Sequence, residues 1–139
     1  MILKTLAIRG LVALFFAMFV FLLPRIASSQ TASYRNISFA EFSRWLEAKD
    51  FVLINVHVPY QGEIPGTDLL LPYHSVVRQK DRLPASRDTK IVVYCLTGPM
   101  GYAAAQDLVQ LGYTRVYHYE AGMRDWVRRD RELIYRSAR

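Results

Sequence analysis

Apolar and aromatic residues in this chain form short runs that alternate with segments of helical periodicity. The runs at 51–58 and 91–94 are nearly continuous, which is typical of strands covered on both faces in a parallel sheet. Two further strands are predicted at 67–73 and 115–119. Because strands and helices alternate along the chain, the pattern predicts an α/β fold with a mainly parallel sheet.

Capping signals and apolar periodicity predict the helices. The first helix begins at Ser38, because this hydroxyl and Glu41 have the spacing of a capping box, and it ends near Asp50. Its aromatic residues share one face and are interpreted as core. A short helix is predicted at 74–80, and the last helix is predicted at 122–131.

The only cysteine, Cys95, lies between the strand at 91–94 and a Gly/Pro-containing loop. An alanine-rich helix follows the loop and ends at Gly112, a residue type typical of the position after a helix. Loop amides and the positive end of a helix both stabilise negative charge, so the segment predicts a site for thiolate chemistry. We expect the sulfur at the rim of the sheet, surrounded by main-chain amides. The alternative is that Cys95 is a small buried hydrophobic residue.

Length and charge predict one domain without a nucleic-acid-binding surface. The chain has 139 residues and a formal net charge of +6. Three of its 18 basic residues (Lys4, Arg9 and Arg25) flank an N-terminal apolar segment, which leaves 15 basic against 12 acidic residues. This small surplus does not indicate nucleic-acid binding. A single cysteine excludes an internal disulfide and a cysteine-cluster metal site.

The N-terminal segment has the order of a secretory signal peptide. Residues 1–10 carry two positive charges, residues 11–23 are apolar, and residues 24–29 include small side chains suited to cleavage. The sequence therefore predicts a signal peptide at 1–29 and a domain at 30–139. An uncleaved anchor is the alternative, although a membrane span needs about 20 apolar residues. Both interpretations predict export, to the periplasm, the exterior or the outer face of a membrane contacted only through residues 1–29.

Three segments together resemble the rhodanese-like family of single-domain sulfurtransferases. They are the cysteine unit at 91–112, the strand and turn at 51–66, and the segment 119–126, in the order and spacing of the family. The likeness covers about residues 34–135. It implies a three-layer rhodanese-like fold, with helices on both faces of a mainly parallel sheet.

The resemblance implies that Cys95 is catalytic. It would take a sulfane sulfur from a donor as a persulfide and pass it to a thiophilic acceptor, and no cofactor is expected. The charged outer sulfur would be bound by amides of the following loop. The predicted substrate-binding residues of that loop are Leu96, Thr97, Gly98, Met100 and Gly101.

Three supporting residues are expected at the same edge of the sheet. Asn55 and His57 follow one strand and Glu120 follows another. His57 would orient the loop or assist deprotonation of the thiol, or it is simply hydrogen-bonded at the end of its strand. Glu120 would accept hydrogen bonds from loop amides. His74 and His118 have no metal-ligand spacing and are interpreted as structural or exposed, so no metal site is predicted.

The loop differs from the usual family pattern, which has one or two arginines. Positions 96, 99 and 100 are Leu, Pro and Met, and Asn55 and His57 stand where the family commonly has Asp and Arg. Weak activity with thiosulfate is therefore expected, and a less charged persulfide or polysulfide donor should be affected less. A Cys-x5-Arg phosphatase is excluded because the last position is Gly101.

Two alternative functions stay open. The first is a catalytically inactive rhodanese-like module that binds a protein partner. The second is a thiol redox sensor, although the chain offers no second cysteine to resolve an oxidised intermediate.

Overall fold

The structure is a computed structural model, and it describes residues 33–136. The predicted signal peptide or anchor at 1–29 lies outside the described residues. Within residues 33–136, every helix is too short or too polar to cross a lipid bilayer.

Five parallel strands form one sheet in the order β1-β5-β4-β2-β3. This arrangement confirms the predicted parallel α/β fold. The first strand was not predicted, because its two exposed residues form no apolar run. The strand predicted at 91–94 has the expected bounds, and the other three are shorter than predicted. The bounds are β1 (Arg35–Asn36), β2 (Val52–Asn55), β3 (Leu69–Leu70), β4 (Ile91–Tyr94) and β5 (Val116–Tyr119).

The domain has three α-helices among residues 33–136, α1 (Phe39–Glu47), α2 (Pro99–Gln110) and α3 (Gly122–Arg128). The first two connect strands, and α3 follows β5. The predicted cap of α1 is confirmed, because the Glu41 amide donates to Ser38 Oγ at 3.2 Å. The third helix ends three residues before the predicted bound. Asp130, two residues after the last helical residue, adopts a left-handed conformation with φ of 55°.

The short helix predicted at 74–80 is wrong. This segment contains two 3₁₀ turns at its ends, Tyr73–Ser75 and Lys80–Arg82. Within 74–80 only Ser75 and Val76 are buried. An α-helix needs an apolar residue every three to four positions, and this segment lacks that stripe.

Side chains that alternate along β4 and β5 divide the core into two layers. Val93 lies in the layer with the buried face of α2. Val92 and Tyr94 lie in the other layer, together with Phe42 of α1 and Trp126 of α3. Helices therefore cover both faces of the sheet, which confirms the three-layer prediction and the interpretation of Trp126 as core.

The segment after α3 returns to the turn that follows β2. Ile134 pairs with Glu63 in an isolated antiparallel bridge, and the Trp126 indole donates to the Glu132 carbonyl at 3.0 Å. The Glu63 side chain is completely buried, and its Oε1 lies 2.6 Å from Arg136 Nε. This C-terminal segment (residues 131–136) therefore neutralises a carboxylate inside the domain.

Candidate active site

Cys95 follows the last residue of β4, the middle strand of the sheet. Its side chain is 2% exposed and packs in the same layer as α2. The sulfur is thus almost completely buried, rather than exposed at the rim as expected. The Gly98 amide donates a hydrogen bond to Cys95 Sγ at 3.0 Å. One main-chain donor therefore points at the sulfur, as the sequence predicted.

The cysteine loop (residues 96–101) leads directly into α2. Gly98 turns the chain with φ of 115°, a conformation that favours glycine, and Pro99 is the first residue of the helix. Among the hydrogen bonds of residues 33–136, none has the amide of Leu96, Thr97, Met100 or Gly101 as its donor. These amides and the positive end of α2 remain available to an anion in the loop.

The carbonyl groups at the start of the loop are fixed by α3. The Met123 amide donates to the Cys95 carbonyl at 2.9 Å, and the Arg124 amide donates to the Leu96 carbonyl at 3.0 Å. Gly122 makes this close approach feasible, because a Cβ atom there would overlap both carbonyl oxygens. Sequence reasoning did not find these contacts; the glycine at the predicted start of the helix was the only signal.

Asn55 shapes the turn after β2 and makes no hydrogen bond to the cysteine loop. Its Nδ2 donates to the Gly62 carbonyl at 3.0 Å, and its Oδ1 accepts from the His57 amide at 3.0 Å. The His57 ring nitrogens are buried and make no hydrogen bond to the described residues. His57 is therefore hydrogen-bonded at the end of its strand through its main-chain amide and not through its ring. Burial lowers the pKa of His57, and its assistance to Cys95 stays a prediction.

Glu120 has a different partner from the one expected. Its carboxylate accepts a hydrogen bond from Asn36 Nδ2 at 2.8 Å, and no hydrogen bond joins it to a loop amide within residues 33–136. Asn36 lies on the unpredicted strand β1, beside His118 in the register of the sheet. The expected role of Glu120 as an acceptor for the loop amides is therefore wrong.

The Asn36 amide fixes the tautomer of His118. A carboxylate only accepts hydrogen bonds, so Asn36 turns its NH₂ group to Glu120 and its Oδ1 to His118 Nδ1, at 3.1 Å. Neutral His118 therefore carries its proton on Nδ1. The side chain is 3% exposed, and its Nε2 faces Gly101, where any Cβ atom would overlap it. His118 is a buried structural residue, one of the two interpretations from the sequence.

A cleft of about 540 Å³ lies beside the cysteine loop. Its lining residues come from β1, the loop, α2 and the end of β5, and they are Asn36, Thr97, Gly98, Pro99, Tyr102, His118 and Glu120. Within residues 33–136, no group of three His, Cys, Asp or Glu side chains is arranged to hold a metal ion.

A comparison with known families identifies the fold. The Rhodanese-like domain family matches residues 38–129, which include the cysteine loop and all three helices. The chain belongs to the rhodanese-like domain family. The match ends before the C-terminal segment.

Two relatives of this rhodanese-like domain are sulfurtransferases. The chain is 32% identical over 94 residues to a sulfurtransferase from Allochromatium vinosum, an alignment that covers 66% of this chain and 85% of the relative. It is 28% identical over 97 residues to the thiosulfate sulfurtransferase GlpE from Pseudoalteromonas translucida, covering 68% and 90%. A solved rhodanese-related protein from Thermoplasma volcanium has the same fold, with a TM-score of 0.61, 24% identity, and coverage of 73% of this chain and 98% of that one.

The stability of this rhodanese-like domain should fall in mild acid because of His118. Burial lowers the pKa of His118 from its ordinary value of 6.5, and the nearby Glu120 carboxylate opposes the shift without reversing it. Below pH 6.5 the unfolded chain therefore binds a proton more readily than the folded domain. The free energy of unfolding should decrease as the pH falls through this region, and less so in His118→Gln.

Urea denaturation at several pH values between 7.5 and 5 measures this effect. His74→Gln is the matched control, because His74 is exposed. Equal pH dependence in the wild type and in His118→Gln would contradict the prediction.

Proposed function

We propose that this domain is a sulfurtransferase or sulfur carrier that forms a persulfide on Cys95. The hydrogen bond from the Gly98 amide to Cys95 Sγ is the observation that carries the proposal. This donor and the positive end of α2 beside it would stabilise negative charge that develops on the sulfur during transfer. Sulfurtransferase relatives that align over most of their length support the same function.

The sulfur would be loaded in one displacement. The Cys95 thiolate attacks the outer sulfur of a persulfide or polysulfide, and the bond between that sulfur and the rest of the donor breaks. The electron pair leaves with the rest of the donor, as a thiolate or a shorter polysulfide. The transferred sulfur then carries the negative charge, and the amides of the cysteine loop are donors for it.

Thiosulfate should be a poor donor. The cysteine loop contains no arginine or lysine, so main-chain amides alone would bind the second negative charge of the dianion. A charge-assisted hydrogen bond contributes about 1.5–3 kcal/mol, so each missing contact corresponds to roughly ten- to a hundredfold in transfer rate. A persulfide carries one negative charge instead of two, and a polysulfide spreads its charge along the sulfur chain, so both should load Cys95 faster than thiosulfate.

Intact mass measurement tests the proposal. The purified domain is incubated with thiosulfate and, separately, with polysulfide, beside a Cys95→Ser control. We expect one added sulfur atom on the wild type, faster with polysulfide, removed by both cyanide and a reducing agent. The control should gain none.

The low exposure of Cys95 favours a second candidate, a catalytically inactive module that binds a protein partner. A folded domain that gains no sulfur from either donor would support it and overturn the first proposal. Adducts formed only with glutathione disulfide or peroxide would instead favour a thiol redox sensor.

We also place this activity outside the cytoplasm, because residues 1–29 have the order of a signal peptide. N-terminal sequencing of the protein recovered from its host tests this. A mature N-terminus near residue 30 in a periplasmic or secreted fraction is the expected result. An intact N-terminus in the cytoplasmic fraction would overturn it.

A further inference from the structure

We propose that the cleft beside the cysteine loop binds a small thiol that carries an ammonium group, and that this aminothiol is the sulfur acceptor. The inference rests on the proposed persulfide on Cys95. It assigns the substrate class of the second half-reaction and gives Glu120 the role of selecting it.

One residue, Gly98, contacts both the cleft and the sulfur. Gly98 lines the cleft, and its amide donates to Cys95 Sγ. The register of the sheet pairs Tyr94 with Tyr119, so Cys95 and Glu120 are the next residues on two neighbouring strands. Neighbouring strands lie about 4.7–4.9 Å apart, which brings the two backbones close together. Cys95 itself does not line the cleft, so a ligand held by Glu120 would reach the outer sulfur of the persulfide past Gly98.

The cleft is lined both by a carboxylate and by residues of the cysteine loop, whose main chain offers hydrogen-bond donors. Of the described residues that line the cleft, Glu120 is the only Asp, Glu, Lys or Arg. It forms no salt bridge within residues 33–136, and Asn36 occupies only its Oε2 atom. Thr97 and Gly98 of the cysteine loop also line the cleft, and the Thr97 amide makes no hydrogen bond to the described residues.

An aminothiolate matches this arrangement, because it is positive at one end and negative at the other. Its ammonium group would pair with Glu120, and its sulfur would face the loop amides. Tyr102 provides an additional surface for the cation, since it lines the cleft and is 49% exposed. The bond from Asn36, itself held against the buried His118, fixes the carboxylate in place.

The transfer is balanced without an oxidant or reductant. The acceptor thiolate attacks the outer sulfur of the Cys95 persulfide, and a new S–S bond forms. The bond between Sγ and the outer sulfur breaks, and its electron pair stays on Sγ. Cys95 returns as a thiolate, and the acceptor leaves as a persulfide.

Three acceptors of similar size and different charge test the inference. They are cysteamine (cationic), 2-mercaptoethanol (neutral) and 3-mercaptopropionate (anionic). Single-turnover transfer from polysulfide-loaded protein is followed by intact mass. Each rate is divided by the rate of the same thiol with a small-molecule persulfide, which removes differences in intrinsic reactivity.

We expect the corrected rate for cysteamine to exceed that for 2-mercaptoethanol about fivefold, the size of a favourable exposed charge pair. The rate for 3-mercaptopropionate should be the lowest. Glu120→Gln should bring the three rates close together, as should 1 M salt, which screens the carboxylate. Glu47→Gln is the matched control and should keep the wild-type order, because Glu47 belongs to α1 and does not line the cleft. Equal selectivity in the wild type and Glu120→Gln would overturn the inference.

A binding measurement separates this inference from the proposed function. S-methylcysteamine keeps the ammonium group and cannot accept sulfur, and 2-(methylthio)ethanol is its neutral counterpart. Binding of both compounds to Cys95→Ser is followed by NMR. If S-methylcysteamine binds, 2-(methylthio)ethanol does not, and Glu120→Gln abolishes the binding, the cleft assignment is supported even if Cys95 forms no persulfide. Persulfide transfer without any dependence on Glu120 would leave the proposed function standing and remove the aminothiol assignment.

Discussion

Replacing Gly122 by alanine should destabilise the domain by about 3 kcal/mol and disrupt the cysteine loop. Gly122 has φ of 62°, a conformation that strains a residue with a side chain. A Cβ atom would also lie 2.6 Å from the Leu96 carbonyl oxygen and overlap that of Cys95. Because both neighbours are backbone atoms, α3 would have to move and lose its hydrogen bonds to the loop. Urea denaturation measures the loss of stability, and the rate of polysulfide loading reports on the loop.

Gly112→Ala is the matched control for that substitution. Gly112 has φ of 91°, and no atom lies within 4 Å of the position that a Cβ would take. Gly112→Ala therefore introduces the backbone strain without the steric overlap, and it should lower the free energy of unfolding by about 1–2 kcal/mol. Gly112→Ala should also leave loading by polysulfide unchanged. If Gly122→Ala and Gly112→Ala were equally stable and equally active, the close approach of α3 to the cysteine loop would not explain the effect of Gly122→Ala.

Replacing Arg136 by methionine should cost about 2–3 kcal/mol. The substitution removes the charge next to Glu63, which is 0% exposed and whose Oε2 has no hydrogen-bond partner among the described residues. A buried carboxylate without a counter-charge is strongly unfavourable. This cost lies below the range of about 3–5 kcal/mol for breaking a fully buried pair, because the Arg136 side chain is 51% exposed. Thermal and urea denaturation measure the effect.

A second substitution distinguishes loss of the pair from loss of packing. In Glu63→Met/Arg136→Met both charges are removed, and the double variant should recover most of the stability, since apolar replacements of buried ion pairs are often neutral. Arg129→Gln is a surface control, because its pair with Asp125 is exposed and should contribute less than about 1 kcal/mol. A double variant no more stable than Arg136→Met would contradict the account of the buried charge.

Local patterns predicted the parts of the site that lie within one segment. The apolar run at 91–94 located β4, and the glycine and proline after Cys95 predicted the turn into α2. Gly98 then supplied one of the predicted donors to the sulfur. These features depend on neighbours a few residues away, so hydrophobic periodicity and turn chemistry were sufficient to find them.

Contacts between distant segments could not be predicted. Asn36 and Glu120 are 84 positions apart, and they meet because β1 pairs with β5. The strand β1 has only two residues and no apolar run that would predict it. Glu63 and Arg136 are 73 positions apart, and each is an ordinary charged residue by sequence. The burial of Cys95 likewise depends on how β2, β4 and α2 pack together. Register and packing, rather than composition, decide these partners.

The C-terminal segment also determines how much of the chain is needed for a well-folded protein. The family match ends at residue 129, but Glu132, Ile134 and Arg136 contact Trp126 and Glu63. A recombinant fragment that ends at residue 129 would lack the C-terminal segment, which packs against the turn after β2. Expression plasmids should therefore extend at least through Arg136, and a C-terminal affinity tag should be joined by a flexible spacer.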